Sequence, residues 1–427
     1  MAWGPNRLRR LVAGAAWLLA FGLALRSARA DTRPFFLYMA TDPPGGANSV
    51  AAWRVDTSGN LSTIAGSPFS TGGSGLANPA GAELAHRIAV SWSKNRLFAA
   101  NEKEGSIAVF DVDPLTGVLR PVAGSPFSVQ GWQNGSGGTS LAVSNDGQFL
   151  YGSTAIGASA PVLSFRVETT GSLTEIGAVW SFPFRINGTA VSSANDRLYL
   201  VESSANQLSV LKTGAGGLTP QPPVTLSIGS TPTDVAVNQA GNVLYVGTKN
   251  GGISAFRMEG DSITPLVGSP YFSGAANLNG LAPDFYERAL VAFGATVPRA
   301  AGALIAGDGS LLSAPGSPVT PLIASTGGTL SPDGRLLFLS SAAAQLDAWQ
   351  VDDAGALIHL PAYPTSVGVS SGFSKIVAFP NKAGSAAPAL PTRALLWLFA
   401  VLVVLSVWRL AKPTATRHSM VWPRLGR

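Results

Sequence analysis

Side chains able to move protons are scarce in this sequence, which has three histidines and no cysteine. The missing cysteine removes thiol nucleophiles, thiolate metal sites and disulfides. His418 lies in a basic tail, His359 falls in a segment that reads as an outer strand, and His86 directly precedes Arg87. No metal-ligand spacing, phosphate loop or Gly-x-Ser-x-Gly nucleophile elbow occurs. The residues that could do chemistry together are therefore His86, Arg87 and two acids, Glu102 and Glu202. Each also has a plain structural reading. A His beside an Arg on a polar loop is ordinarily just solvated, and Glu102-Lys103-Glu104 reads as an exposed loop.

A repeat supplies the elements that would position them. Its clearest copy runs from Asp234 through Tyr245 to Thr248: an alternating strand, a polar Gly turn and a second strand. A third strand follows at 253–257 and a fourth at 263–267, ending in Gly-Ser-Pro. The anchor equivalent to Tyr245 recurs as Tyr38, Phe98, Tyr151, Tyr199, Leu290 and Phe338, at intervals of 45 to 60 residues. Leu precedes every anchor except Leu290, which follows Ala289. Four strands per period of this length predict an all-β fold, a seven-bladed propeller with four-stranded antiparallel blades. Blade 1 lacks an innermost strand of its own, and an unpartnered strand appears at 375–379. The segment 372–381 is therefore expected to complete blade 1 and close the ring, leaving no exposed sheet edge.

The start of each inner strand and the end of each second strand then open on one face, around the channel. Counting back from the anchors puts Arg87, Ser140, Gly188, Asp234, Asn279 and Gly327 at this rim, with Lys375 in the place for blade 1. Asp42, Asn101, Glu102, Thr154, Glu202, Thr248, Lys249 and Ser341 follow the anchors. Ligands of such folds usually sit in this mouth. The expected ligand-binding rim is Asp234, Lys249, Asn279 and Lys375. Most other rim residues suit hydrogen bonding and close backbone approach better than proton transfer.

The motifs Ser-Pro-Asp-Gly-Arg at 331–335, Leu-Tyr-Val at 244–246 and repeated Gly-Ser-Pro-Phe resemble the lactonase-type seven-bladed propellers. That group includes the 6-phosphogluconolactonase-like and muconate-lactonising enzymes. The resemblance covers nearly all of 34–381. These motifs specify the fold better than the chemistry, because each has a structural reason. His86 sits where lactonase-family repeats carry the His of a Pro-His segment, although Ala85 stands in place of Pro. The resemblance implies a His that moves a proton while a cation holds a carboxylate or a developing oxyanion on a lactone. His86, Arg87, Glu102 and Glu202 are the residues it nominates as catalytic.

The ends differ from the middle. Residues 1–30 hold five Arg and no acid, and 382–427 hold seven basic residues and no acid. The overall charge of +6 leaves the middle at −6, so no nucleic-acid surface is expected. A basic start, an apolar run from Leu11 to Leu25 and Ala28-Arg29-Ala30 read as a signal peptide over 1–30. A small-residue linker spans 382–393. The apolar run Ala394 to Trp408 opens a segment, 394–411, that reads as a short transmembrane helix, followed by a basic cytoplasmic tail, 412–427. Ala389-Leu390-Pro391-Thr392 before the run loosely resembles bacterial sorting signals that open Ile-Pro-Thr-Leu.

Together these features predict a monomeric propeller on the outer side of a bacterial membrane, free of metal and cofactor. The sequence alone favours a binding or scaffold module that engages a small molecule or an envelope protein. Its alternative is a lactonase working at the channel mouth.

Overall fold

The computed structural model describes residues 34–380, apart from 42, 44–45, 76–85, 133–138, 155–158, 184, 203–205, 223, 226–230, 298 and 369–374. The leader, linker, apolar run and tail inferred from the sequence lie outside the described residues. No helix among the described residues is long and apolar enough to cross a membrane.

The chain forms seven antiparallel four-stranded sheets, blades 1 to 7 in the order of their anchors Tyr38, Phe98, Tyr151, Tyr199, Tyr245, Leu290 and Phe338; the strands run in sequence order in all but blade 1, and five blades add a short fifth piece at the outside. Blade 5 shows the unit: Pro232–Val237, Val243–Thr248, Gly252–Glu259 and Ser262–Pro265. Its first turn is held by one side chain. Asn238 Oδ1 accepts from the amides of Asn242 and Val243, at 3.0 and 2.9 Å. In the Ser-Pro-Asp-Gly copy, Ser331 Oγ takes that role for Leu336 at 2.9 Å. A short polar side chain that caps its own backbone is why these residue types mark the turn.

The inner strands contact one another in a closed ring around the axis. Lys375–Pro380 is the inner strand of blade 1, paired antiparallel with Phe35–Thr41 in the register Ala40↔Lys375 to Phe35↔Pro380. The last described strand thus joins the first, as expected from the unpartnered segment.

Seven hydrophobic clusters fill the seven seams between blades. Strand alternation divides each second strand between two seams. Tyr38 faces blade 2, whereas Leu37 and Met39 face blade 7. All seven anchors are buried. Two of the tyrosines also tie each blade to the next: Tyr38 donates to the Gly117 carbonyl at 2.8 Å and Tyr245 to the Gly309 carbonyl at 2.9 Å. Blade 7 has Phe338 as its anchor and no such hydroxyl. There Tyr363, edge-on to Phe338, donates to the Gly59 carbonyl of blade 1 at 2.7 Å.

The Gly-Ser-Pro repeats do more than end strands. In all four the Ser–Pro bond is cis. Each Ser Oγ accepts an amide of the third strand (Ala52, Val109, Ala255 and Gly302) at 2.8 to 3.0 Å. The hydroxyl replaces the ladder bond that is lost where the outer strand breaks into two pieces.

Candidate functional site: a histidine–aspartate pair at the channel mouth

Four inner strands carry a β-bulge at the mouth, at Ile186/Gly188, Pro232/Asp234, Leu278/Gly280 and Ser325/Gly327. A bulge re-aims side chains and frees backbone amides from the ladder. In blade 5 the bulge presents Asp234. Its Oδ1 accepts the Val235 amide and its Oδ2 accepts the Leu281 amide of blade 6, both at 2.8 Å. Gly188 of blade 4 leaves the room this carboxylate occupies, since a Cβ there would collide with it.

His86 reaches Asp234 from blade 2, on the far side of the ring. Its Nε2 lies 3.1 Å from Asp234 Oδ1, with the carboxylate side chain 2% exposed and the imidazole 31% exposed. The His86 carbonyl accepts the Leu141 amide of blade 3 at 2.7 Å, which fixes the backbone behind the ring. The pair opens into the central channel, a cavity of about 350 Å³ that it lines with Asn279, Leu281 and Gly327. That volume lies at the lower end of the range for small-molecule sites, roughly 300–1,000 Å³.

Arg87 does not share this space. Side chains alternate along the strand, so His86 and Ile88 face the channel while Arg87 turns into the seam between blades 2 and 3. There it is 2% exposed, with Nε 3.1 Å from Glu102 Oε1. The same oxygen accepts the Thr139 amide of blade 3 at 3.0 Å. Burial pulls the Arg87 pKa below its ordinary value, opposed by the Glu102 charge. The reading of 102–104 as an exposed loop is corrected: Glu102 is buried. Its ion pair, formed across two strand ends, removes the need for solvent. Glu104 is exposed and accepts the Ser74 amide and hydroxyl of blade 1.

The other nominated residues stay apart from the pair. Glu202 is buried in blade 4 and accepts the Ser209 hydroxyl at 2.5 Å. Lys249 has an exposed side chain, and its backbone bonds to Thr231 and Asn277. Asn279 lines the channel and donates to the Ser325 carbonyl of blade 7 at 2.7 Å. The Lys375 backbone pairs with Ala40, and its side chain lies outside the described residues, as does Asp42. Among the described residues no cluster of three or more His, Cys, Asp or Glu could hold a metal ion.

Sequence reasoning missed the opposite mouth. Trp92 and Phe285, in the turns after the inner strands of blades 2 and 6, meet there with ring centroids 5.6 Å apart. The Trp92 indole donates to the Ala378 carbonyl of blade 1 at 3.0 Å. Phe285 packs edge-on to Tyr286, whose ring lies under the Arg288 guanidinium. A signal was present. Aligned turn copies place Trp92, Asn145, Ser193, Gln239, Phe285 and Pro332 at one position, and the two aromatic copies are the two that meet.

This fold and mouth define a seven-bladed propeller with a His–Asp pair across its channel, and over part of its length the chain is similar to the lactonase-type propellers. The family model "Lactonase, 7-bladed beta-propeller" matches residues 46–215. A putative 6-phosphogluconolactonase from Bacteroides uniformis superposes with a TM-score of 0.62 at 14% identity, covering 81% of this chain and 100% of that one. A second, from Bacteroides fragilis, gives 0.60 at 14% identity, with coverage of 82% and 99%. The periplasmic gluconolactonase of Pseudomonas aeruginosa gives 0.57 at 16% identity, with coverage of 81% and 99%. No curated protein matches the sequence.

Proposed function

We propose that the chain is a lactone hydrolase whose reaction centre is the His86–Asp234 pair. The observation that carries this reading is the contact itself. A part-exposed imidazole is held at 3.1 Å by a buried carboxylate, at the mouth of a cavity large enough for a small molecule. The lactonase-family match and the 6-phosphogluconolactonase-like neighbours support the reaction class.

Two backbone amides hold the Asp234 carboxylate in place. It accepts from His86 Nε2–H, which leaves the Nδ1 lone pair as the ring's basic site. Nδ1 takes a proton from water as the water oxygen bonds to the lactone carbonyl carbon, and the carbonyl oxygen becomes an oxyanion. Collapse of this intermediate re-forms the carbonyl and breaks the ring C–O bond. The departing alkoxide recovers the proton from the imidazolium, which Asp234 stabilises meanwhile. The Asn279 amide, lining the same space, is the candidate donor to the oxyanion.

The test is hydrolysis of a lactone panel by the purified full-length protein. His86→Ala should lower kcat/KM by about 10²- to 10⁴-fold, the usual worth of a positioned acid–base group. Turnover that persists in His86→Ala sinks this assignment. The leader and the apolar run at 394–408 favour an envelope location, which cell fractionation checks: recovery in the cytosol contradicts it.

A further inference from the structure

The channel below the His–Asp pair carries a run of apolar side chains, set among the polar groups of Gln239, Asn279, Thr329 and Ser331, and an aromatic pair at its floor. Ile88, Val237, Leu281, Leu330, Ile376 and Val377 line it between the two mouths. Phe293 adds a ring against the backbone of Gly328, where a Cβ would strike it. From His86 to Trp92 the inner strand descends roughly 20 Å at about 3.3 Å per residue. Trp92 and Phe285 then meet across the far end.

The charges point the same way. Among the described residues lining the cavity there is no Lys or Arg, and the charged or chargeable groups are His86, Asp234 and Asp284. Asp284 is already neutralised by Arg288, with Nε–Oδ2 at 2.6 Å. A phosphate passing into the cavity would face Asp234 with no Lys or Arg among the described lining residues, and repulsion of like charges costs most where water is excluded. Alkyl groups, by contrast, would leave water for the apolar side chains along these walls.

We infer that the preferred substrate is a neutral lactone bearing an alkyl chain, its ring at His86–Asp234 and its tail running down the channel toward the Trp92–Phe285 floor. The inference rests on the hydrolase reading of the same mouth. The floor sets a maximum tail length, because a longer chain must part the aromatic pair.

The experiment measures kcat/KM of the full-length protein on a series of δ-alkyl lactones of increasing tail length, with glucono-δ-lactone and its 6-phosphate as polar members. The expected profile rises by about fourfold per methylene that becomes buried, then levels off. The 6-phosphate should be the poorest substrate. Phe285→Ala opens the floor from an exposed turn and should move the plateau to longer tails. A flat or falling profile, or preference for the phosphorylated lactone, overturns this inference and leaves the hydrolase reading standing. If no member of the panel is turned over, both fall together.

Discussion

Two histidine–aspartate pairs in this propeller have nearly the same local chemistry and very different surroundings. In the channel, His86 Nε2 lies 3.1 Å from Asp234 Oδ1. In the outer part of blade 7, His359 Nε2 lies 2.9 Å from Asp347 Oδ1, with the imidazole 28% exposed and the carboxylate buried. Asp347 also accepts its own neighbour's amide, from Ala348 at 3.0 Å, and a second from Leu322 at 3.3 Å. That repeats the scheme of Asp234. His359, however, packs edge-on to Trp349 at 4.8 Å in an outer strand, away from the channel. The dyad geometry is thus a common way to seat a buried carboxylate. A cavity beside the imidazole is what would turn it into a reaction centre.

The largest expected effect breaks the comparison directly. Asp234→Asn should cost about two to four orders of magnitude in kcat/KM, because an amide can no longer stabilise the imidazolium. Asp347→Asn should leave kcat/KM within a few-fold of the wild type while lowering unfolding free energy by about 1–3 kcal/mol, the cost of disturbing buried hydrogen bonds. Lactone kinetics together with urea melts would test both. Equal loss of activity in the two variants would remove the distinction between the pairs.

A second effect sharpens the comparison at the residue beside His86. Arg87→Met leaves Glu102 charged and buried in the blade 2–3 seam, and loss of one partner from a buried ion pair costs about 3–5 kcal/mol. Replacing Glu102 by Leu in the same protein should restore part of that stability, since the uncompensated charge is gone. If Arg87 serves the seam, the double variant regains activity in step with its folding. A folded double variant that stays inactive would instead bring Arg87 back to the reaction.

The contrast between adjacent residues explains what was legible in the sequence. Blade number, closure and the anchors follow from local patterns: Leu before an aromatic, a polar Gly turn, a strand without a partner. Each is set within one repeat, so spacing alone recovers it. Asp234 and His86 were each readable as mouth residues. Their contact was not, because it crosses the ring from blade 2 to blade 5 and depends on closure and on the bulge at Pro232/Asp234. Counting residues also placed Arg87 at the rim. One step of strand alternation moves it from channel to seam, and the rim count did not resolve that step. Glu202 was nominated by position and type, yet its carboxylate is taken by Ser209 on the neighbouring strand. The aromatic floor was missed because turn residues were read for their backbone role, while Trp92 and Phe285 act through rings that reach over the axis.

The smallest expected effect lies in the titration of the scaffold, away from the channel pair. Burial raises the seam tyrosines Tyr38, Tyr151, Tyr245 and Tyr363 above their ordinary pKa, with Tyr151 raised from 10.0 to about 12. Above pH 10 the unfolded chain loses these protons first, so it binds fewer protons than the folded chain and stability falls as pH rises. Their contribution is therefore complete below about pH 10, and that of Tyr151 is lost as pH climbs through about 12. Tyr151→Phe cannot ionise in either state. It should retain on the order of 1 kcal/mol more of its neutral-pH stability at pH 11 than the wild type retains. Thermal melts from pH 8 to 11 measure this. Activity lost above pH 10 along with the fold then belongs to the seams. Identical alkaline melting of Tyr151→Phe and wild type would show that this tyrosine does not control the loss, and the alkaline limit would have to be sought elsewhere in the seams.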